Sequence, residues 1–125
     1  MSEDYNIISS VVIGSAIEVH KHFGPGLLES VYEEALCYLL LKEGIQIERQ
    51  KQVPVYFDNL EMGIGFRADI IVENCIIVEL KSVETILPVH AKQLMTYLRL
   101  SKMKLGLLIN FNEELLKNGI KRIIV

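Results

Sequence analysis

Long apolar runs are missing from this chain: its uninterrupted hydrophobic stretches are only a few residues long, well short of the roughly 20 residues a membrane-spanning helix requires. The start, Met1-Ser2-Glu3-Asp4, is acidic and has no signal-peptide pattern. Both absences predict a soluble, cytoplasmic protein without a membrane partner. Cysteine is scarce as well. Cys37 and Cys75 are the only two, and without CxxC spacing they read as free thiols rather than a disulfide or zinc site. Internal repeats, low-complexity tracts and linkers are also absent, which excludes a multidomain adaptor and predicts a single domain over residues 1–125.

The chain also lacks a surplus of positive charge, its net charge being −3, and this argues against an obvious nucleic-acid binder. The average hides a polarity. Residues 1–80 carry 5 basic and 13 acidic side chains, a balance of −8, whereas residues 81–125 carry 8 and 3, a balance of +5. Lys92, Arg99, Lys102, Lys104, Lys121 and Arg122 would neutralise phosphates if they shared a face, and are otherwise scattered surface charges.

What the chain does have is apolar material, half of its 125 residues, enough for one core. Ile8, Val11, Val12, Ala16, Val19 and Phe23 recur at helical spacing from residue 6 to about 22. After Gly24-Pro25-Gly26 a second helix is predicted from Leu27 to about Glu43, burying Leu28, Val31, Ala35 and Leu39 and ended by Gly44. From Gln46 to Phe57 the period changes to alternation, with Ile47, Arg49, Lys51, Val53, Val55 and Phe57 on one face. Asp58-Asn59 turns the chain into a second strand. Leu87-Pro88 opens a third helix that ends near Ser101, with Val89, Leu94, Met95 and Leu98 inward. Leu105 to Ile109 suits a strand covered on both faces, and Ile120 to Val125 an edge strand. The order is ααβββαβ(β), an α/β arrangement with a mixed sheet.

Charged side chains interrupt the most apolar strands. Asp69 lies within Phe66 to Val72, and Glu79-Leu80-Lys81 closes the run that begins at Cys75. Desolvating an unpaired carboxylate costs several kcal/mol or more, so acids in such places are paired or hold a cation. Strand alternation puts Glu79 and Lys81 on one face and Val78 and Leu80 on the other. In the preceding strand, Phe66, Ala68, Ile70 and Val72 share a face opposite Arg67, Asp69 and Ile71. A two-residue loop at Glu73-Asn74 would put Asp69 and Glu79 on different faces. A three-residue loop pairs Val72 with Ile76 and sets Asp69 opposite Glu79, at a Cβ separation of roughly 4.5–5.5 Å. That register is predicted. Carboxylates this close repel, and a hard divalent cation with oxygen ligands relieves the repulsion better than one lysine does.

Other polar residues fall into motifs. Glu29 stands in the first turn of the second helix, where the helix dipole favours an acid, and Tyr32 follows at i+3. In the third helix His90, Gln93 and Tyr97 make one polar stripe. His90 has no partner histidine at ligand spacing and is not read as a metal ligand.

Asp69 followed by Glu79-x-Lys81 resembles the signature of the PD-(D/E)XK nuclease superfamily, with Ala68 in place of the usual proline. Gly26, Glu29 and Tyr32 resemble the motif of its small bacterial GxxExxY proteins, and Gln93 with Tyr97 the helical motif of its exonuclease-type branch. The resemblance runs from about His20 to Asn112. It implies a restriction-endonuclease-like αβββαβ core carrying an extra N-terminal helix, and hydrolysis of phosphodiester bonds in nucleic acid, DNA being the expected substrate. It further implies that Asp69, Glu79, Glu29 and the Leu80 backbone carbonyl hold Mg2+ or Mn2+. Lys81 would act on the attacking water or on the developing phosphoryl charge, and Gln93, Tyr97 and Tyr32 would orient site or substrate.

Two other readings stand beside this one. The acidic balance and small size suit a non-catalytic binding or regulatory module that keeps the fold. In a purely structural alternative, Asp69 and Glu79 simply pair with Arg67 and Lys81, each strand pair contributing about 0.2–1 kcal/mol. A partner subunit or self-association would supply the basic track that nucleic acid calls for, and the apolar N-terminal helix, with more hydrophobic surface than one layer needs, makes a homodimer the expected form of self-association.

Overall fold

Three helices and five strands follow one another as α1 (Tyr5–Phe23), α2 (Glu29–Lys42), β1 (Ile47–Phe57), β2 (Leu60–Val72), β3 (Ile76–Lys81), α3 (Pro88–Ser101), β4 (Leu105–Asn110) and β5 (Ile120–Ile124). This computed structural model describes residues 5–125, so the acidic Met1–Asp4 start lies outside the described residues. The predicted order is reproduced, with one short 3-10 turn, Leu116–Gly119, added before β5. The sheet runs β1-β2-β3-β4-β5, antiparallel except for the parallel β3–β4 pair. A parallel pair needs a crossover, and α3 supplies it. The result is the mixed α+β architecture of the restriction-endonuclease-like fold. No helix among the described residues is long and apolar enough to cross a membrane.

Each sheet face has its own core. On one side Val12, Ala16 and Val19 of α1 and Tyr32, Leu36 and Leu40 of α2 pack against Ile70, Val72, Val78 and Leu107. On the other, Leu94 and Leu98 of α3 pack against Phe66, Ala68, Ile71, Ile77 and Leu108. β4 is buried along its whole length, as its continuous apolar run requires.

The helix ends follow local chemistry. Gly44 at φ +79° closes α2, its N–H donating to Leu41 O while the Ile45 N–H donates to Leu40 O, the two bonds of a Schellman motif. Lys102 plays the same part after α3 at φ +63°. In α2 the buried stripe is Tyr32, Leu36 and Leu40, one position round from the predicted one, and Leu28 is exposed. Val89 of α3 is likewise exposed rather than inward. Both residues stand at a helix start.

The β1–β2 ribbon is longer than β3. Asp58 and Asn59, at φ +56° and +63°, form its predicted two-residue turn. Tyr56, Phe57, Leu60, Met62 and Ile64 are exposed near that tip.

Candidate active site

The β2–β3 turn takes the predicted three-residue register. Val72 pairs with Ile76, Ile71 with Ile77 and Ile70 with Val78, although Glu73 and Asn74 both adopt positive φ and the Cys75 N–H closes the turn onto Val72 O. The next opposed residues are Asp69 and Glu79, and there the ladder stops. Side chains replace it: the Asp69 N–H donates to Glu79 Oε2 at 3.0 Å, and the Leu80 N–H donates to Asp69 Oδ2 at 2.9 Å. Two carboxylates are thereby fixed at the point where the strands part. One oxygen of each, Asp69 Oδ1 and Glu79 Oε1, accepts no protein hydrogen bond among the described residues.

The predicted faces hold for β3 but not for β2. Val78 and Leu80 lie on the α1/α2 side, opposite Glu79 and Lys81. In β2, Ile70 and Val72 also face α1 and α2, whereas Phe66 and Ala68 face α3. The alternation reverses its phase at Asp69. The same reversal occurs across the ladder in β1, where Ile47 packs on the α1/α2 side and Val53 and Val55 on the α3 side. Arg49 pairs with Ile70 and Lys51 with Ala68, but Gln50 and Asp69 form no ladder pair. Gln50 takes φ +50°, uncommon for a side chain that is not glycine.

Burial and charge make Glu79 unusual. It is 7% exposed, and burial, then the Asp69 carboxylate, raise its pKa from the ordinary 4.5 to about 7, while the Asp69 N–H and the Lys81 charge pull the other way. Glu79 forms no ion pair among the described residues; Lys81, half-buried two residues on, acts on it through space. The structural alternative, in which Arg67 and Lys81 neutralise these acids directly, is therefore not what the chain adopts.

Glu29 opens α2, and its Oε2 accepts from the Ser82 N–H at 3.2 Å, next to Lys81. Ser82 also donates its hydroxyl to Leu27 O at 2.8 Å, so the end of β3 is tied to the start of α2. Glu29, Glu33, Gln50, Asp69 and Ser82 line an open cleft of about 540 Å³. Tyr97 of α3 stacks on Phe66 with ring centroids 3.9 Å apart. Its pKa is raised by burial and then by the negative charges of Glu79 and Asp69, which places its ring within their field. Gln93 lies one turn earlier on α3, exposed. His90 has a helix-end role instead, its Nδ1 accepting from the Leu87 N–H at 3.0 Å.

Of the two roles expected for Tyr32, orienting the site or the substrate, its position suits the first: it is fully buried and stacked on Phe111 with centroids 4.4 Å apart. Its hydroxyl donates to Gly24 O at 2.6 Å and accepts from the Leu27 N–H at 3.1 Å. It pins the loop from which Glu29 emerges.

Three contributors escaped the sequence reading. Glu33, 7% exposed, joins Arg49 and Gln50; Ser82 is described above; and Asn110, fully buried, holds the segment after β3 through Val83. None of the three stands in a motif or a periodic pattern that marks it in the sequence.

The donor set suits a hard cation. It offers carboxylate oxygens from three elements, each carboxylate with one oxygen open among the described residues, around a buried acid that lacks an ion pair. The carboxylates are not gathered tightly, however. No group of three His, Cys, Asp or Glu side chains among the described residues stands at metal-holding spacing. Asp69 and Glu79 spend one oxygen each on backbone N–H groups, and Glu29 one on Ser82.

Comparison with curated proteins and with solved structures returns no match. The model of the PD-(D/E)XK nuclease superfamily matches residues 6–123, nearly the whole described chain. The match spans both strands that meet at Asp69 and Glu79, and the chain belongs to the PD-(D/E)XK nuclease superfamily.

Proposed function

We propose that this chain is a Mg2+- or Mn2+-dependent nuclease of the GxxExxY branch, a single cytoplasmic domain that hydrolyses phosphodiester bonds of DNA. The observation that carries this reading is the interlock of Asp69 and Glu79 where the ladder ends, with Lys81 beside it. The free thiols Cys37 and Cys75 suit a reducing compartment.

Asp69 and Glu79, with Glu29 from the start of α2 and the Leu80 carbonyl, would hold the cation, which when bound polarises a phosphoryl group and stabilises charge developing on it. Lys81 contributes a positive charge beside the same carboxylates and is suited to orient the attacking water or to stabilise the phosphoryl oxygens. Tyr97, held by Phe66, and the exposed Gln93 border the approach from α3 and orient the nucleic-acid backbone.

The test is cleavage of plasmid and linear DNA by purified protein with Mg2+ or Mn2+. Wild type cleaves, and Asp69→Asn abolishes cleavage while its circular dichroism is unchanged. Equal cleavage by wild type and variant would overturn the reading.

A second reading, a binding module without turnover, is favoured by the open spacing of the carboxylates and the net charge of −3. Duplex DNA carries one charge per about 1.7 Å, which calls for a basic track. Self-association or a partner subunit would supply it. Calorimetry in which neither ion binds would favour this reading.

A further inference from the structure

Consecutive residues of a strand point to opposite faces, yet Arg49 and Gln50 both reach the same side chain. Arg49 Nε donates to Glu33 Oε2 at 3.0 Å, and Gln50 Nε2 donates to Glu33 Oε1 at 2.9 Å. Gln50 manages this through its positive φ, and its missing ladder partner is Asp69. The phase of both strands turns over at this pair. Glu33 is thus a buried acid whose two oxygens hold β1 in an irregular conformation directly across from Asp69. Gln50, Glu33 and Asp69 also line one cleft.

We infer that Glu33 and Gln50 are positioning residues, which clamp the reversal in β1 and so hold Asp69 where its N–H meets Glu79 and its carboxylate meets Leu80. A regular β1 would let the Gln50–Asp69 pair rejoin the ladder and turn Asp69 away from β3. The local strain of a left-handed Gln50 is then a cost offset by two hydrogen bonds to a buried carboxylate. This inference deepens the nuclease reading, and rests on it only for ion binding.

The test uses Gln50→Gly, which accepts the left-handed backbone but has no side chain to reach Glu33, together with Gln50→Glu, which opposes two carboxylates. Backbone amide exchange is followed by NMR, and Mn2+ affinity by calorimetry. The expected result is exchange at the Asp69 and Leu80 amides faster by about tenfold or more in both variants, with α1 and β4 amides unchanged. Mn2+ affinity falls about 10- to 100-fold, as for other groups that orient metal ligands. Unchanged exchange at Asp69 and Leu80 would overturn the inference, and so would a uniform rise across the sheet. Failure of the wild type to bind Mn2+ would count against the nuclease reading alone, since amide exchange decides this one.

Discussion

The carboxylate of Glu79 accepts a hydrogen bond from the backbone N–H of Asp69 at 3.0 Å, so the two acids are joined through main chain even though their charges repel. Glu79 is desolvated, close to a second negative charge, and without an ion pair among the described residues.

Stability should therefore fall as pH rises. An unfolded glutamate releases its proton near 4.5, whereas the folded chain keeps it up to about 7. Between those values the native state binds more protons, so this group stabilises the fold below the lower value and loses that contribution through the upper one. The span is on the order of 3 kcal/mol. Thermal melting of the ion-free protein should show Tm dropping between about pH 5 and about pH 8, and Glu79→Gln should flatten the profile. A profile equally steep in the variant would assign the effect elsewhere.

Lys81→Ala should lower DNA cleavage by about 100-fold or more, the range typical of a lost proton-transfer or charge-stabilising group. Melting at about pH 5, where Glu79 keeps its proton and Lys81 has no Glu79 charge to stabilise, should stay the same, because no ion pair is broken among the described residues. The paired measurements are initial cleavage rates and Tm. A variant that cleaves normally removes Lys81 from the chemistry.

Tyr32→Phe keeps the stacked ring and removes only the hydroxyl. Gly24 O and the Leu27 N–H lose their shared partner, and because Gly24 is half-buried and Leu27 exposed, so that water can take its place, the cost is about 0.5–1.5 kcal/mol. Urea denaturation measures the loss. Because the same loop leads into Glu29, Mn2+ affinity should weaken in parallel.

Gly106→Ala tests how tightly α3 is seated. A Cβ there would lie 3.0 Å from Leu94 Cδ2 and from Leu98 Cδ1, and overpacking of this kind costs about 1–3 kcal/mol. The denaturation midpoint should drop, and near-ultraviolet circular dichroism should report movement of Tyr97 against Phe66.

Lys102→Gly should act in the opposite direction. Lys102 caps α3 at φ +63°, a conformation that costs a side-chain-bearing residue about 1–2 kcal/mol. The glycine variant should be more stable by about 1 kcal/mol in urea, part of the gain being returned as unfolded-chain entropy.

Periodicity was enough to read the element order, the β2–β3 register and the pairing of Asp69 with Glu79 from the chain. It was misleading at Gln50 and Asp69, since an alternating pattern keeps its composition when the phase reverses in both strands at once. The reversal depends on a side chain from α2, and strand patterns carry no trace of it. Helix α2 was misread for a related reason. Tyr32 and Glu33 score as polar or amphipathic, yet both are buried because Gly24, Leu27, Arg49 and Gln50 satisfy their polar atoms. Leu28 scores as core, yet nothing covers it.

The overhang of the β1–β2 ribbon has a material consequence. Tyr56, Phe57, Leu60, Met62 and Ile64 face water there, and no lysine or arginine between Val53 and Phe66 guards the stretch. Extended edges with greasy side chains are where concentrated protein sticks to itself. Crowding of this molecule is therefore expected to begin at the ribbon's far end, where Pro54, Asp58 and Glu61 are what oppose it.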